Sequence, residues 1–274
     1  MIKKCLFKRL ILLTNFLFSS FLMAQNNKEH GAFTELPSRI EEVKMSSISV
    51  EKIDKKADIK TDKTILLGSG FLTKYDTIHY AVTCNHVVAQ IGADELLLVG
   101  FNLGQSKMFF KASIVKLVPE QDVAVLLLGD VHYLPPNFDL AYGLKQKWIQ
   151  KSLFCETNEI IEGTGALMIG YPLGIGSEFE GNRPLSRIGI VAQSVSEKGT
   201  FIIDGIASRG NSGSPIFLSQ SSKVKFLGMA VASLNERINL YDENKKLVAS
   251  LPYNSGLTLC LSAGEILKIL KSLH

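Results

Sequence analysis

From Thr64 onward the chain alternates short apolar runs with turn residues. The runs "TILLGSGFLTK", "IHYAVTCNHVV", "ELLLVGFN", "KMFFKASIVKLV" and "DVAVLLLG" come first; a polar, proline-bearing link follows near residues 131 to 152. The pattern then resumes with "TGALMIGYP", "SRIGIVAQSV", "GTFIIDG", "SPIFLS", "KFLGMAVASL" and "GLTLCLS". Strands this short, about ten residues apart with no long helical period between them, predict an all-β chain of sandwich or antiparallel-barrel type. The end is different. In "SAGEILKILKSLH", Ser262 and Glu265 have capping-box spacing, and Ile266, Ile269, Leu270 and Leu273 fall on one helical face, which predicts a terminal helix docked on a barrel.

Two segments ahead of Thr64 break the pattern. Residues 1 to 24 place Lys3, Lys4, Lys8 and Arg9 before an apolar run ending in small residues and Ala24. That is the pattern of a cleavable secretory signal, too short for a stable bilayer span, so the expectation is export to the periplasm or beyond. Cys5 precedes the run, which argues against lipid attachment there. Residues 25 to 63 mix charges of both signs with few aromatics and predict a solvated lead-in with one short element.

Composition narrows the partners. The formal charge is +4 over 274 residues, and removing the four basic residues of the leader brings the remainder to zero. A neutral body lacks the electrostatic footprint of a nucleic-acid binder. Cys84, Cys155 and Cys260 are too few and too scattered for a disulfide framework. His79, Cys84 and His86 raise the question of a metal, but His79 has the opposite strand parity and no second ligand pair follows at zinc spacing; no metal and no cofactor are expected. The glycines of "EGTGALMIGYPLGIG" lack the Gly-Lys-Ser/Thr ending of a phosphate loop.

The candidate chemistry lies in "SRGNSGSPIF", residues 208 to 217. On composition it is a tight turn. A serine there becomes a nucleophile only with a base to take its proton and donors to meet the oxyanion. Of the histidines, His30 is in the lead-in, His132 in the link and His274 at the end, which leaves His79 and His86 at opposite parity on one strand-like run, with His86 where the strand gives way to a helical turn. Asp122, at the head of an apolar run, reads by itself as a solvated carboxylate, yet His86, Asp122 and Ser212 follow in the chain order of the chymotrypsin arrangement. The α/β-hydrolase elbow does not fit: Ser214 stands where its second glycine belongs, and only His274 would be left as base. Cys84 is read as buried packing.

Taken together, "GSGFLTK", "YAVTCNHVV", "QDVAVLLL", "GYPLG", "SRIGIVAQ" and "GNSGSPIF" resemble the chymotrypsin-fold serine peptidases, nearest to the exported bacterial Deg-type and trypsin-like branch. The resemblance implies two antiparallel six-stranded β-barrels with a C-terminal helix, the first over residues 64 to 150 and the second over 151 to 274. It implies His86 as general base, Asp122 as its orienting partner and Ser212 as the acylated nucleophile. The N–H groups of Gly210 and Ser212 would form the oxyanion hole. Ile206, Val231, Ala232 and Ser233 would line the primary specificity pocket; with no charge among them, small or medium apolar side chains are expected before the cut. Asn211 stands where many digestive members carry the aspartate that receives a new N-terminal ammonium, so activity is not expected to await that switch. The PDZ domain that many Deg-type members carry after the second barrel is not expected here. The substrate implied is a polypeptide. A peptidase fold that only binds, and an esterase on the same scaffold, are the alternatives.

Overall fold

Thirteen strands and two helices carry the described part of the chain. The computed structural model describes residues 40–41, 43–58, 63–103, 106–133, 147–174, 183–219 and 224–274. All but Ile40 belong to the unit Glu41–His274. The leader over residues 1 to 24 and His30 lie outside the described residues. No described helix is long and apolar enough to cross a membrane.

The first sheet contains β1 (Ser47–Asp54), β2 (Ile65–Tyr75), β3 (Ile78–Cys84), β4 (Glu95–Leu103), β5 (Ser106–Val118), β6 (Val123–Tyr133) and β7 (Ile149–Gln150). Its order is β1-β4-β5-β6-β3-β2-β7, and a further β1 to β2 pairing closes the first six strands into a ring. The second barrel is closed in the order β10-β13-β12-β11-β8-β9, from β8 (Gly165–Gly170), β9 (Leu185–Gln193), β10 (Thr200–Asp204), β11 (Pro215–Leu218), β12 (Phe226–Tyr241) and β13 (Leu247–Ser262). The short apolar runs predicted a sandwich or an antiparallel barrel, and the structure has the two-barrel architecture that the resemblance implied. Each ring closes over the alternate residues it turns inward: Val50, Leu72, Val82 and Leu98 are buried in the first, and Met168, Val191, Phe201 and Ile216 in the second. Ring closure removes most of the open strand edges that antiparallel sheets otherwise present.

The lead-in expectation needs correction. β1 is not solvated: Ser47 to Glu51 are all buried, and β1 pairs with both β2 and β4. Glu51 made this segment look polar, but its carboxylate accepts from Lys107 Nζ at 2.5 Å, from Ser49 Oγ at 2.6 Å and from the Thr64 hydroxyl. Paired and hydrogen-bonded in this way, a carboxylate can sit in a barrel wall. The Lys107 ammonium also lies 5.1 Å from the ring centre of Tyr171, tying this wall to the loop after β8.

The two barrels meet through aromatics. Phe226 of β12 packs on Phe71 of β2 at 4.8 Å between ring centres and on Phe154 at 4.9 Å. At the end of the chain α2 (Ala263–Lys271) buries Ile266, Ile269 and Leu270. Ser262 Oγ accepts the Glu265 N–H at 3.4 Å, but the Glu265 carboxylate reaches Gln121 and Lys268 instead of closing the box. The last residue is held as well: the ring of His274 stacks 5.3 Å from that of Tyr75.

Candidate active site

β3 ends at Cys84, and the next four residues form the short helix α1 (Asn85–Val88), which carries His86. Because Asn85 onward is helical, strand parity does not govern His86. It faces the second barrel, while His79 remains on β3 with its ring 4.3 Å from that of Trp148.

Asp122 caps a 3-10 turn, Pro119–Gln121, in the left-handed region at φ 55°. Aspartate tolerates this conformation better than most residues. The turn is anchored by Gln121 Nε2 donating to Glu265 at 3.1 Å, and the Asp122 carbonyl accepts the Asn85 N–H at 3.0 Å. Helix α1 and the Asp122 turn are thereby clamped to each other before any side chain is counted. Asp122 Oδ1 accepts the backbone N–H of His86 at 2.9 Å, and Oδ2 lies 2.6 Å from His86 Nδ1. On the other side of the ring His86 Nε2 lies 2.9 Å from Ser212 Oγ. His86 and Asp122 are not sealed: their side chains are 47% and 24% exposed, open to whatever enters from solvent.

Ser212 sits between β10 and β11 on a loop whose carbonyls from Ser208 to Ser212 are all engaged. Ser208 O accepts the Asn211 N–H at 2.9 Å, and Arg209 O accepts the Leu173 N–H at 2.5 Å. Gly210 O accepts from Ser69 Oγ at 2.6 Å, Asn211 O from the Ser214 N–H at 2.8 Å, and Ser212 O from the Ser69 N–H at 2.8 Å. The N–H groups of Gly210 and Ser212, like that of Arg209, have no acceptor among the described residues. Fixed, unspent N–H donors beside a hydroxyl and its base are what charge build-up on an attacked carbonyl oxygen requires. Gly210 adopts φ +94°, which only glycine enters freely.

The family comparison accords with this geometry: the trypsin-like peptidase domain matches residues 68–229. The chain belongs to the trypsin-like peptidases. No curated protein matches it.

Ser69 is the site residue that sequence reasoning missed in this trypsin-like peptidase. Its Oγ accepts the Tyr171 N–H at 2.9 Å while donating to Gly210 O, and its N–H holds Ser212 O. One buried side chain thus joins the first barrel, the loop after β8 and the Ser212 loop. In "GSG" the only available signal was a serine flanked by turn-like glycines. Gly170 is small for the same reason, since a Cβ there would fall 2.6 Å from Ser69 Oγ. Ser69→Ala would leave two buried polar groups unpaired, about 1–3 kcal/mol each. Steady-state kinetics should show kcat lower by about tenfold, short of the effect of losing an oxyanion donor outright, with KM little changed. Unchanged kcat would remove Ser69 from this positioning role.

The Asn211 side chain is satisfied inside its own loop: Oδ1 accepts the Ser208 N–H at 3.0 Å and Nδ2 donates to Ser214 Oγ at 3.3 Å. Cys84 is fully buried with its thiol 3.5 Å from Ala230 O. Burial foremost, and then the Asp122 carboxylate, push that thiol well above the ordinary range, so it is not poised to act as a nucleophile. Cys84, His86 and Asp122 do bring three ligand atoms within 4.8 Å of one another, but the thiol is protonated and the other two groups are committed to each other.

Of the residues expected to line the specificity pocket, Val231, Ala232 and Ser233 continue β12 past the point where Ala230 exchanges backbone bonds with Gly213 and Ser214. Ile206 lies on the loop after β10 and is 57% exposed. Its carbonyl accepts from Arg187 Nη1 at 2.6 Å. The sequence reading found no charge at this wall; β9 supplies one. A cleft of about 310 Å³, lined by Leu66, Leu67, Leu173, Arg209 and Gly210, opens on the other side of the Ser212 loop.

Proposed function

We propose that the chain is an exported serine endopeptidase that works through an acyl-enzyme. The observation that carries this reading is the run of contacts from Asp122 Oδ2 to His86 Nδ1 at 2.6 Å and from His86 Nε2 to Ser212 Oγ at 2.9 Å. Ser212 Oγ attacks the scissile carbonyl as His86 Nε2 takes its proton, and Asp122 stabilises the imidazolium. The oxygen of the tetrahedral intermediate accepts from the Gly210 and Ser212 N–H groups. His86 then returns the proton to the leaving amine, the C–N bond breaks, and the acyl group stays on Ser212. Water, deprotonated by His86, attacks the ester and frees the acid. Export rests on the basic and apolar pattern of residues 1 to 24 and the neutral body that follows them.

The side chain before the cut is small or medium and apolar. Ile206, Val231, Ala232 and Ser233 offer a cation no partner, and the Arg187 guanidinium at the Ile206 carbonyl repels one. The same guanidinium favours a second reading, preference for an acidic residue at that position.

A fluorophosphonate probe tests the enzyme reading. Protein trimmed only of residues 1 to 24 is expected to label at once, with Asn211 needing no newly cut terminus, and Ser212→Ala is expected to abolish labelling. Absence of labelling in the native chain would favour the binding-only alternative, and ester turnover without peptide turnover would favour the esterase. In a peptide series, valine or alanine before the cut should be hydrolysed at least about tenfold faster than lysine or arginine, the size of one modest pocket contact. Faster cutting after lysine or arginine would overturn the preference, and faster cutting after aspartate or glutamate would assign it to Arg187.

A further inference from the structure

β12 and β13 outrun the barrel. β12 is paired on one side with β11 only as far as Met229, and Ala230 is held by Gly213 and Ser214; on its other side it stays paired with β13 to Tyr241. From Val231 to Tyr241, then, one edge of β12 has no backbone partner among the described residues. At the strand rise this edge runs roughly 30 Å. Register shifts at Val231 and Leu234 mark bulges where the ribbon leaves the barrel, a device common next to active sites.

The ribbon is amphipathic. Residues directly opposite on paired strands share a face, so Ile238 with Leu251 and Leu240 with Ala249 form an apolar face, joined by Tyr253 opposite Glu236. Ile238 and Leu240 are each 47% exposed, Leu251 53% and Tyr253 54%. The other face carries Asn235 with Asn254, Arg237 with Pro252, and Asn239 with Ser250. An open strand edge beside an apolar face is a standing template for another extended chain. Proteins commonly blunt such edges. β13 carries Pro252, which has no N–H to donate, but the exposed stretch of β12 contains no proline.

We propose that the outer stretch of this edge, residues 235 to 241, is a docking strip for residues of a polypeptide substrate well upstream of the cut. The segment adds as a further strand along β12 and places alternate apolar side chains beside Ile238 and Leu240. The inference rests on the peptidase reading above and deepens it: the substrate is an unfolded or extended polypeptide with apolar residues well upstream of the bond, not merely a suitable residue next to it. Continuity with the Ser212 loop favours substrate over a second copy of the chain. The free edge begins just after Ala230, whose N–H and C=O are held by the nucleophile loop, so a strand laid on it leads directly to Ser212. Main-chain bonds along such an edge supply affinity and alternate side chains supply selectivity.

The test compares two fluorogenic peptides sharing the residues around the cut, one with about four residues upstream and one with about ten, the extension carrying valine or leucine at alternate positions. The longer peptide should be cut with kcat/KM at least about tenfold higher, because binding energy from remote parts of a substrate counts towards its transition state. In Ile238→Asp/Leu240→Asp the ratio of long to short should collapse towards one, and replacing the alternate apolar residues by serine should do the same in the native chain. Equal kcat/KM for the two peptides in a protein that labels at Ser212 would overturn the strip and leave the peptidase reading intact. Should neither peptide be cut, binding of the same two peptides to Ser212→Ala, read by fluorescence anisotropy, decides the matter without catalysis: tighter binding of the long one supports the strip and equal binding overturns it. A dimer in sedimentation that the double substitution dissociates would assign the edge to self-pairing instead.

Discussion

Asp122→Asn is expected to lower kcat about ten-thousandfold, the scale on which a wrong imidazole tautomer acts in this arrangement, with KM and thermal stability nearly unchanged. The reason lies in two contacts that one carboxylate makes at once. Oδ1 accepts the His86 backbone N–H and Oδ2 accepts the ring Nδ1–H. An amide of the same shape has only one acceptor oxygen. If it keeps the ring, its NH2 opposes the backbone N–H, donor against donor. If it turns over to satisfy the backbone, the NH2 faces Nδ1 and drives the ring proton to Nε2, where it points at Ser212 Oγ and cannot accept the hydroxyl proton. The second orientation sets no donor against a donor and is therefore favoured, and it disables the base without removing a contact with substrate, so the loss belongs in kcat. Steady-state kinetics beside a melting curve reads the two apart, and a loss below about tenfold would mean that Asp122 does not orient the base.

Gly210→Ala is expected to cost a hundredfold to a thousandfold in kcat, the price of one oxyanion donor. A Cβ at Gly210 would lie 2.3 Å from Tyr171 O and 3.2 Å from Leu173 N, both backbone atoms that cannot swing aside. The φ of +94° adds strain of its own. The loop relieves both by turning the Arg209 to Gly210 peptide, which breaks the Leu173 N–H to Arg209 O bond and takes the Gly210 N–H off target. Gly163→Ala is the control, since Gly163 has φ +80° but nothing within 4 Å of its Cβ position. That substitution should alter stability slightly and kcat not at all. Equal kcat for native chain and Gly210→Ala would show that the Gly210 N–H meets no developing charge.

Much of the architecture was legible because strands announce themselves by short β-rich apolar runs between turn residues. The two errors share a cause. β1 was read as solvated because Glu51, Lys52 and Asp54 are charged, yet the partner that makes Glu51 acceptable in the interior is Lys107, 56 positions away. The outer halves of β12 and β13 were missed because the apolar runs stop at "KFLGMAVASL" and resume at "GLTLCLS", and "NERINLYDENKKLVASLP" between them is rich in polar and turn-forming residues. A ribbon with one solvated face and no barrel beneath it has no need of an unbroken apolar run. At the site, His86, Asp122, Gly210 and Ser212 stood out as residue types in a familiar order, whereas Ser69 and Arg187 did not. Their significance comes from the carbonyls they reach, Gly210 O and Ile206 O, and a carbonyl has no letter in the sequence.

By itself the amino-acid order determined the chemical groups on hand, the all-β character and the helix that closes the chain, because these follow from side-chain type and local periodicity. Only the tertiary structure decided that groups 36 and 126 positions apart stand within 3 Å of one another, and which N–H groups were left without partners. A hydrogen bond fails over a displacement of a few tenths of an ångström, and placement that fine is set by two barrels closing on their cores and meeting at Phe226, not by any short stretch of chain.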